Sequence, residues 1–600
     1  MMKTLSAGLI VAVSFSLIAA PPRPAGALKA WQQITLSFQG PASGEAAQPN
    51  PFTDYRLTVK FTHAASGTAV VAPGYYAADG NAAESSASEG NVWRVHLLAP
   101  GAGVWRWEAS FRTGPGIALS EDAQAGTPVA GVDGLKGEFR VAAADPKAPG
   151  FLAKGLLSYD GSHFFRFANG ERFLKGGADS PENFLAYADF DGTFDTDAAF
   201  NEGRNTTGKA FVHQYAPHLR DWRAGDPVWQ KTKGKGIIGA LNYLAGKGMN
   251  SVYFLTYNID TGDGKDVWPW TGPEVRDRFD VSKLAQWETV FSHMDRLGIQ
   301  LHVVTQETEN DHKLGGGPGL NPARRLYLRE LIARFSHHHA LIWNLGEENN
   351  TPDADRKLTA SYIRSLDPYR HPITVHTHVN RIQECYGKLL GHEAFEATSI
   401  QADMDRYHRY TLEMREASAK AGRKWAIFGD EQTHADSGVV PDADDPGHDV
   451  PRKRALWGNL MAGGSGVEWY FGYKYPHMDL NCEDWRSRDR MWDQTRFALE
   501  FFHRYLPFWE MAPGDGLASG GAAFVLAKPG QVYAVYLPQG GSIRLKLETG
   551  SYAVDWYNPR SGGPLLKGGQ VRAEAGAETD LGPPPTGPAA DWAALLRRVR

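Results

Sequence analysis

From Trp31 to about Ala144 the apolar positions recur with a period of two. Segments 55–61, 92–97 and 104–111 each alternate polar and apolar side chains, and clusters of Gly, Pro and Asp separate them at short intervals. Alternation puts every second side chain on one face, so these read as half-buried strands whose spacing predicts an antiparallel sandwich. The run Asp145-Pro146-Lys147-Ala148-Pro149-Gly150 reads as a linker.

Beyond a hairpin turning at Asn169-Gly170, the period changes. Short apolar runs at 173–176, 251–258, 299–307, 340–348, 372–378, 398–402, 424–431 and 466–471 alternate with helical patterns at 236–244, 281–297, 321–335, 353–366, 405–421 and 450–462. Eight strand-then-helix units predict a TIM (β/α)8 barrel with its site where strands run into helices. A doubly wound sheet is the competing α/β fold, but no Gly-rich phosphate loop follows the first strand. From about Pro513 the period returns to two, in 523–526, 532–537, 543–547 and 552–557.

The expected fold is therefore multidomain α/β plus all-β: a central barrel over 145–511, flanked by β-sandwiches over 28–144 and 512–600. Residues 1–27 read as a signal peptide, with Lys3 ahead of a short apolar run and Ala25-Gly26-Ala27 at its end. That predicts an exported protein, periplasmic or secreted, with no membrane span after cleavage.

The chemistry sits at strand ends. Trp343-Asn344-Leu345-Gly346-Glu347-Glu348 is an apolar strand that ends in two carboxylates, and Trp425-Ala426-Ile427-Phe428-Gly429-Asp430-Glu431 makes the same switch. Acids at the C-terminal end of barrel strands project into the mouth. Two of them on separate strands are what retaining glycoside hydrolysis needs, one to protonate the leaving oxygen and one to attack the anomeric carbon, about 5 to 5.5 Å apart. Asn258, Gln306, Glu307, His376, His378 and Gln401 lie at other strand ends and are candidate sugar-hydroxyl partners; Trp268 and Trp270 are candidate stacking surfaces.

The strand-four motif resembles the W-x-L-G-N-E of β-galactosidase-like members of the clan A glycoside hydrolases. The resemblance implies Glu348 as acid/base, Glu347 in place of an Asn that holds the 2-hydroxyl, Glu431 as the strand-seven nucleophile and Trp469 as an aromatic platform under the sugar. The first sandwich resembles an uncharacterised domain that precedes such barrels in exported bacterial proteins. The last resembles the collagen-binding-type module of a collagenase, a label that carries no function here.

Composition narrows the partners. A net charge of -5 and a pI near 6.5 oppose nucleic-acid binding and favour a neutral ligand. The two cysteines, Cys385 and Cys482, give neither a disulfide framework nor a zinc site. Consecutive His337-His338-His339 point in different directions, and the runs Asp189/Asp191/Asp195/Asp197 and Asp260/Asp263/Asp266 lack the closing Glu of a calcium loop, so no metal and no cofactor is expected. Two other readings use the same scaffold: a non-catalytic carbohydrate-binding protein, and a polysaccharide lyase.

Overall fold

The computed structural model describes residues 22–196, 211–262, 264–315, 319–574 and 576–599. Most of the expected signal peptide, together with Asp197 and Asp263, lies outside the described residues. Among the described residues no helix is long and apolar enough to cross a membrane.

Eight parallel strands form the central sheet: β1 (Lys175–Ala178), β2 (Ser251–Leu255), β3 (Gln300–Val304), β4 (Leu341–Asn344), β5 (Ile373–Thr374), β6 (Ile400–Ala402), β7 (Phe428–Gln432) and β8 (Gly466–Trp469). Hydrogen-bonded neighbours run β5-β4-β3-β2-β1-β8-β7-β6, so the sheet curls into a barrel-like ring. No ladder joins β5 to β6. The seam carries a parallel bridge, His376 with Ser399, and hydrogen bonds that include Thr377 N to Ser399 O at 3.1 Å, Glu396 N to Ile373 O at 3.2 Å and Asn380 N to Gln401 O at 3.0 Å.

The helices between strands stop and start where their sequences dictate. In α1 (Val281–Leu297), Asp280 caps the first turn by accepting Lys283 N at 2.8 Å, and Gly298 ends the helix at φ +79°. In α2 (Pro322–Phe335), Asn321 accepts Arg324 N at 3.0 Å while Pro322 takes the position that needs no N–H donor. The hairpin at Asn169-Gly170 is present, with Phe167 N donating to Glu171 O at 2.9 Å and Gly170 at φ +98°.

Antiparallel sheets flank the ring in sequence. Tyr55–His63, Gln33–Gly44, Glu89–Leu98 and Gly103–Thr113 are the long strands of the two N-terminal sheets, and Gly103–Thr113 buries every second residue as its alternation requires. Tyr369 OH accepts Leu98 N at 2.7 Å, and Arg334 donates to Tyr76 O at 2.9 Å, tying this part to the barrel helices. At the other end Asp591 takes a two-point ion pair from Arg452, 3.0 Å on each arm, plus Tyr536 OH at 2.8 Å; Trp457 stacks on Tyr536 with centroids 4.6 Å apart.

Barrel interiors are ordinarily filled by branched apolar side chains. This one is polar. Lys175 of β1 points inward and its ammonium contacts Asp430 of β7 and Glu468 of β8, at 2.9 Å for the latter; all three are fully buried. Glu468 also takes His302 Nδ1 at 2.7 Å and the hydroxyl of Ser251, and His302 Nε2 meets Asn344 Nδ2 at 3.1 Å. Burial opposes the ionised form of Glu468, but Lys175 and His302 hold its carboxyl down at about 2. Six strands are thus tied to one cation and its partners.

A buried ion pair that loses one member leaves an uncompensated charge, which costs about 3–5 kcal/mol. Lys175→Met should therefore lower the urea-unfolding free energy by about that amount. A loss under about 1 kcal/mol would show that the ammonium does not hold the ring.

Candidate active site

The two acidic strand ends behave differently, because the backbone does. Regular strand structure on β4 stops at Asn344, whose side chain faces inward to His302. Continued alternation would turn Gly346 and Glu348 inward as well. Instead Gly346 takes φ +132°, a conformation reserved for glycine, and a Cβ there would lie 2.6 Å from Gln306 Nε2. Glu348 follows at φ +38°. This kink shifts the inward register by one residue, so Glu347 points into the ring and Glu348 points away from it.

Glu347 is 1 % exposed and accepts Tyr253 OH at 3.0 Å. One oxygen each of Glu347 and Glu431, and a ring nitrogen of His376, lie within 4.8 Å of one another. Glu348 is elsewhere: a third exposed, it pairs with His378 Nδ1 at 2.9 Å, and His378 Nε2 bonds Asn350 Oδ1 at 2.8 Å. The carboxyl opposite Glu431 is therefore Glu347. The expectation that Glu348 occupies that place is corrected, and His378 leaves the site with it.

On β7 a bulge opposite Ile400/Gln401 lets consecutive acids serve one interior. Asp430 meets Lys175 below, while Glu431 accepts Gln401 Nε2 at 2.6 Å and stands 3.5 Å from His376 Nε2. His376 Nδ1 accepts Glu348 N at 3.4 Å, which leaves Nε2 as the donor aimed at Glu431. Burial, with His302, His378 and Lys175 nearby, keeps His376 well below the usual imidazole range and so neutral.

Other expected contacts fall into supporting positions. Gln306 Nε2 donates to Leu345 O at 3.0 Å and its Oε1 accepts Thr305 Oγ1, which braces the kink. Asn258 Nδ2 donates to Glu307 Oε2 at 2.7 Å, and the Asn258–Val267 hairpin brings Gly262 directly against Glu307. Three aromatic expectations are corrected. Trp469 follows inward Glu468 on β8, so alternation turns it outward, where its Nε1 donates to Thr495 at 2.8 Å. Trp270 is enclosed by Tyr257, Phe279 and Tyr327, and Trp268 is 1 % exposed with Lys283 over its ring at 4.8 Å. Core packing occupies them all.

The histidine run lies beside acids, where Glu288, His337 and His338 place ligand atoms within 4.8 Å of one another. His338 bridges Asp295 at 2.8 Å and Glu288 at 3.2 Å, which raise its pKa to about 10 against burial, and His337 meets Glu288 at 3.1 Å. Lys265 pairs with Asp195, Lys313 with Asp260, and Thr196 with Asp266. Cys385 and Cys482 are separate buried thiols.

Three carboxyls in the mouth carried no clear signal in the sequence. Asp179 follows β1, Glu182 acts on Glu347, and Asp479 lies in the loop after β8 and accepts Glu182 N at 3.1 Å. Burial pushes Glu347 up to about 7 although Glu182 and Tyr253 oppose the shift, and pushes Asp479 up to about 8. Their position after strands one and eight was the available clue.

With that geometry in place, the comparisons are consistent in kind. Residues 27–112 match DUF5060, a domain of unknown function. No curated protein sequence matches. A candidate glycoside hydrolase from Bacteroides vulgatus superposes with TM-score 0.63 at 15% identity, covering 95% of this chain and 99% of that one. A glycoside hydrolase family 5 structure from the same organism gives 0.51 at 14% identity, covering 74% and 93%, and a further glycoside hydrolase gives 0.51 at 12%, covering 74% and 97%. This chain has a glycoside hydrolase-like fold.

The raised Glu347 has a stability consequence. A carboxyl whose folded pKa lies above its unfolded value binds protons better when folded, so its contribution is full below about 4.5 and is lost as pH rises through about 7. Between pH 5 and pH 8 the wild type should lose up to about 3 kcal/mol more stability than Glu347→Gln. Parallel urea-unfolding profiles for the two proteins would contradict the burial of an ionisable group there.

Proposed function

We propose that the chain is an exported glycoside hydrolase, acting in the periplasm or outside the cell, that cleaves O-glycosidic bonds of an oligo- or polysaccharide with retention of configuration. In this reading 28–144 and 512–600 are sandwich domains around a catalytic barrel at 145–511. The observation that carries it is the facing pair of Glu347 and Glu431, with oxygens within 4.8 Å. Oxygens this close support a double displacement, where the carboxyls stand about 5 to 5.5 Å apart, over inversion, where they stand about 6.5 to 9.5 Å apart.

Glu431 is the nucleophile. Gln401 donates to its carboxylate at 2.6 Å and His376 Nε2 stands 3.5 Å away, which orients it for attack. Glu347 is the acid/base: raised to about 7, it holds a proton near neutrality and can return as a base once the leaving group departs. Tyr253 positions its carboxyl. Both acids are about 1 % exposed, so sugar binding requires the mouth to open around them.

The test is hydrolysis of a panel of plant, algal and microbial glycans by the mature protein and by three variants. Glu431→Gln and Glu347→Gln should each lower kcat by at least about 10³-fold, while Glu348→Gln should stay within about tenfold of wild type. Binding without cleavage would favour a carbohydrate-binding protein, and an unsaturated product absorbing near 235 nm would favour a lyase. Loss of activity only in Glu348→Gln would return the acid/base role to that residue.

A further inference from the structure

Asp179 is 1 % exposed, and neither of its carboxyl oxygens has a hydrogen-bond partner. Its backbone N–H is spent on Trp469 O at 3.0 Å, which fixes the residue at the junction of β1 and β8. Asp479 is fully buried, with Oδ1 accepting Glu182 N and Oδ2 without a partner. The largest electrostatic influences on Asp179 are the carboxyls of Glu347, Glu468, Asp479 and Asp430, and Glu347 acts on Asp479. Among the described residues no Lys or Arg pairs with Asp179, Asp479 or Glu347; the nearby ammonium of Lys175 is taken by Asp430 and Glu468.

Buried polar groups are ordinarily satisfied, and a carboxyl left bare in a functional mouth points to the ligand that completes it. A neutral sugar offers hydroxyls that can hydrogen-bond these oxygens but bring no charge. An ammonium brings three donors and a positive charge that draws the protons off these raised carboxyls, which a neutral sugar leaves in place.

We propose that the barrel mouth selects a sugar unit bearing a free amine, a 2-amino-2-deoxyhexose that is not N-acetylated, with its ammonium received by Asp179 and Asp479. The assignment rests on the reading of this mouth as a glycoside hydrolase site. Acetylation would remove the charge, so the N-acetylated sugar is discriminated against.

Calorimetric titration tests this on the full chain, wild type and Glu431→Gln, with glucosamine, N-acetylglucosamine and glucose oligomers of equal length and linkage at pH 6. The glucosamine oligomer should bind at least tenfold more tightly than either of the others. Asp179→Asn should reduce that advantage below threefold, and so should Asp479→Asn, used as the second variant where the first does not fold by circular dichroism. Equal, weaker or undetectable binding of the amine oligomer overturns the proposal, as does an advantage that survives in a folded variant. Hydrolysis separates the two readings: cleavage of a neutral glycan without amine preference removes this inference and keeps the hydrolase, whereas Asp179-dependent amine binding without cleavage does the reverse.

Discussion

The ammonium of Lys175 on the barrel axis governs the rest of the site. It neutralises Asp430 and Glu468, and through Glu468 reaches Ser251 and His302 and then Asn344. A barrel filled with branched side chains is held by packing alone. Here the strands are pinned by directional contacts around one charge, and the strand ends above it inherit that precision. Glu431 is the residue after Asp430, so fixing one carboxyl to the lysine fixes the backbone that carries the other.

The same cation divides the carboxyls electrostatically. Of the two it touches, Glu468 is held at about 2, while burial and the neighbouring Glu468 leave Asp430 raised. Those beyond its reach, Glu347, Asp479 and Asp179, feel mainly burial and one another, and all three are shifted upward.

Much of this was legible in the chain. The eight barrel strands lie in or against the runs where period-two segments give way to helical ones, and α1 and Asp353–Leu366 have the bounds their patterns predict. The acidic ends of strands four and seven were visible as breaks in apolar runs. What alternation could not show was its own interruption: Gly346 permits a kink that only the contact with Gln306 explains, and this moved the inward position from Glu348 to Glu347. Trp469 was misjudged for the opposite reason, because alternation did hold on β8 and turned it away. Trp592–Arg598 reads W-A-A-L-L-R-R with helix-favouring residues and no alternation, yet it is a strand between Val532–Leu537 and Gly550–Tyr557, where tertiary pairing overrides propensity. Lone acids such as Asp179 and Asp479 had no pattern to reveal them.

The central claim is that Glu347, and not its neighbour Glu348, is the proton donor paired with Glu431. Azide rescue tests it most directly, on a glycoside of the cleaved sugar with a good leaving group. Such a substrate needs no proton for the first step, and azide replaces the missing general base in the second. Glu347→Ala should be slow alone and accelerated by azide, giving a glycosyl azide of retained configuration. Rescue of Glu348→Ala, with Glu347→Ala unresponsive, would contradict the account.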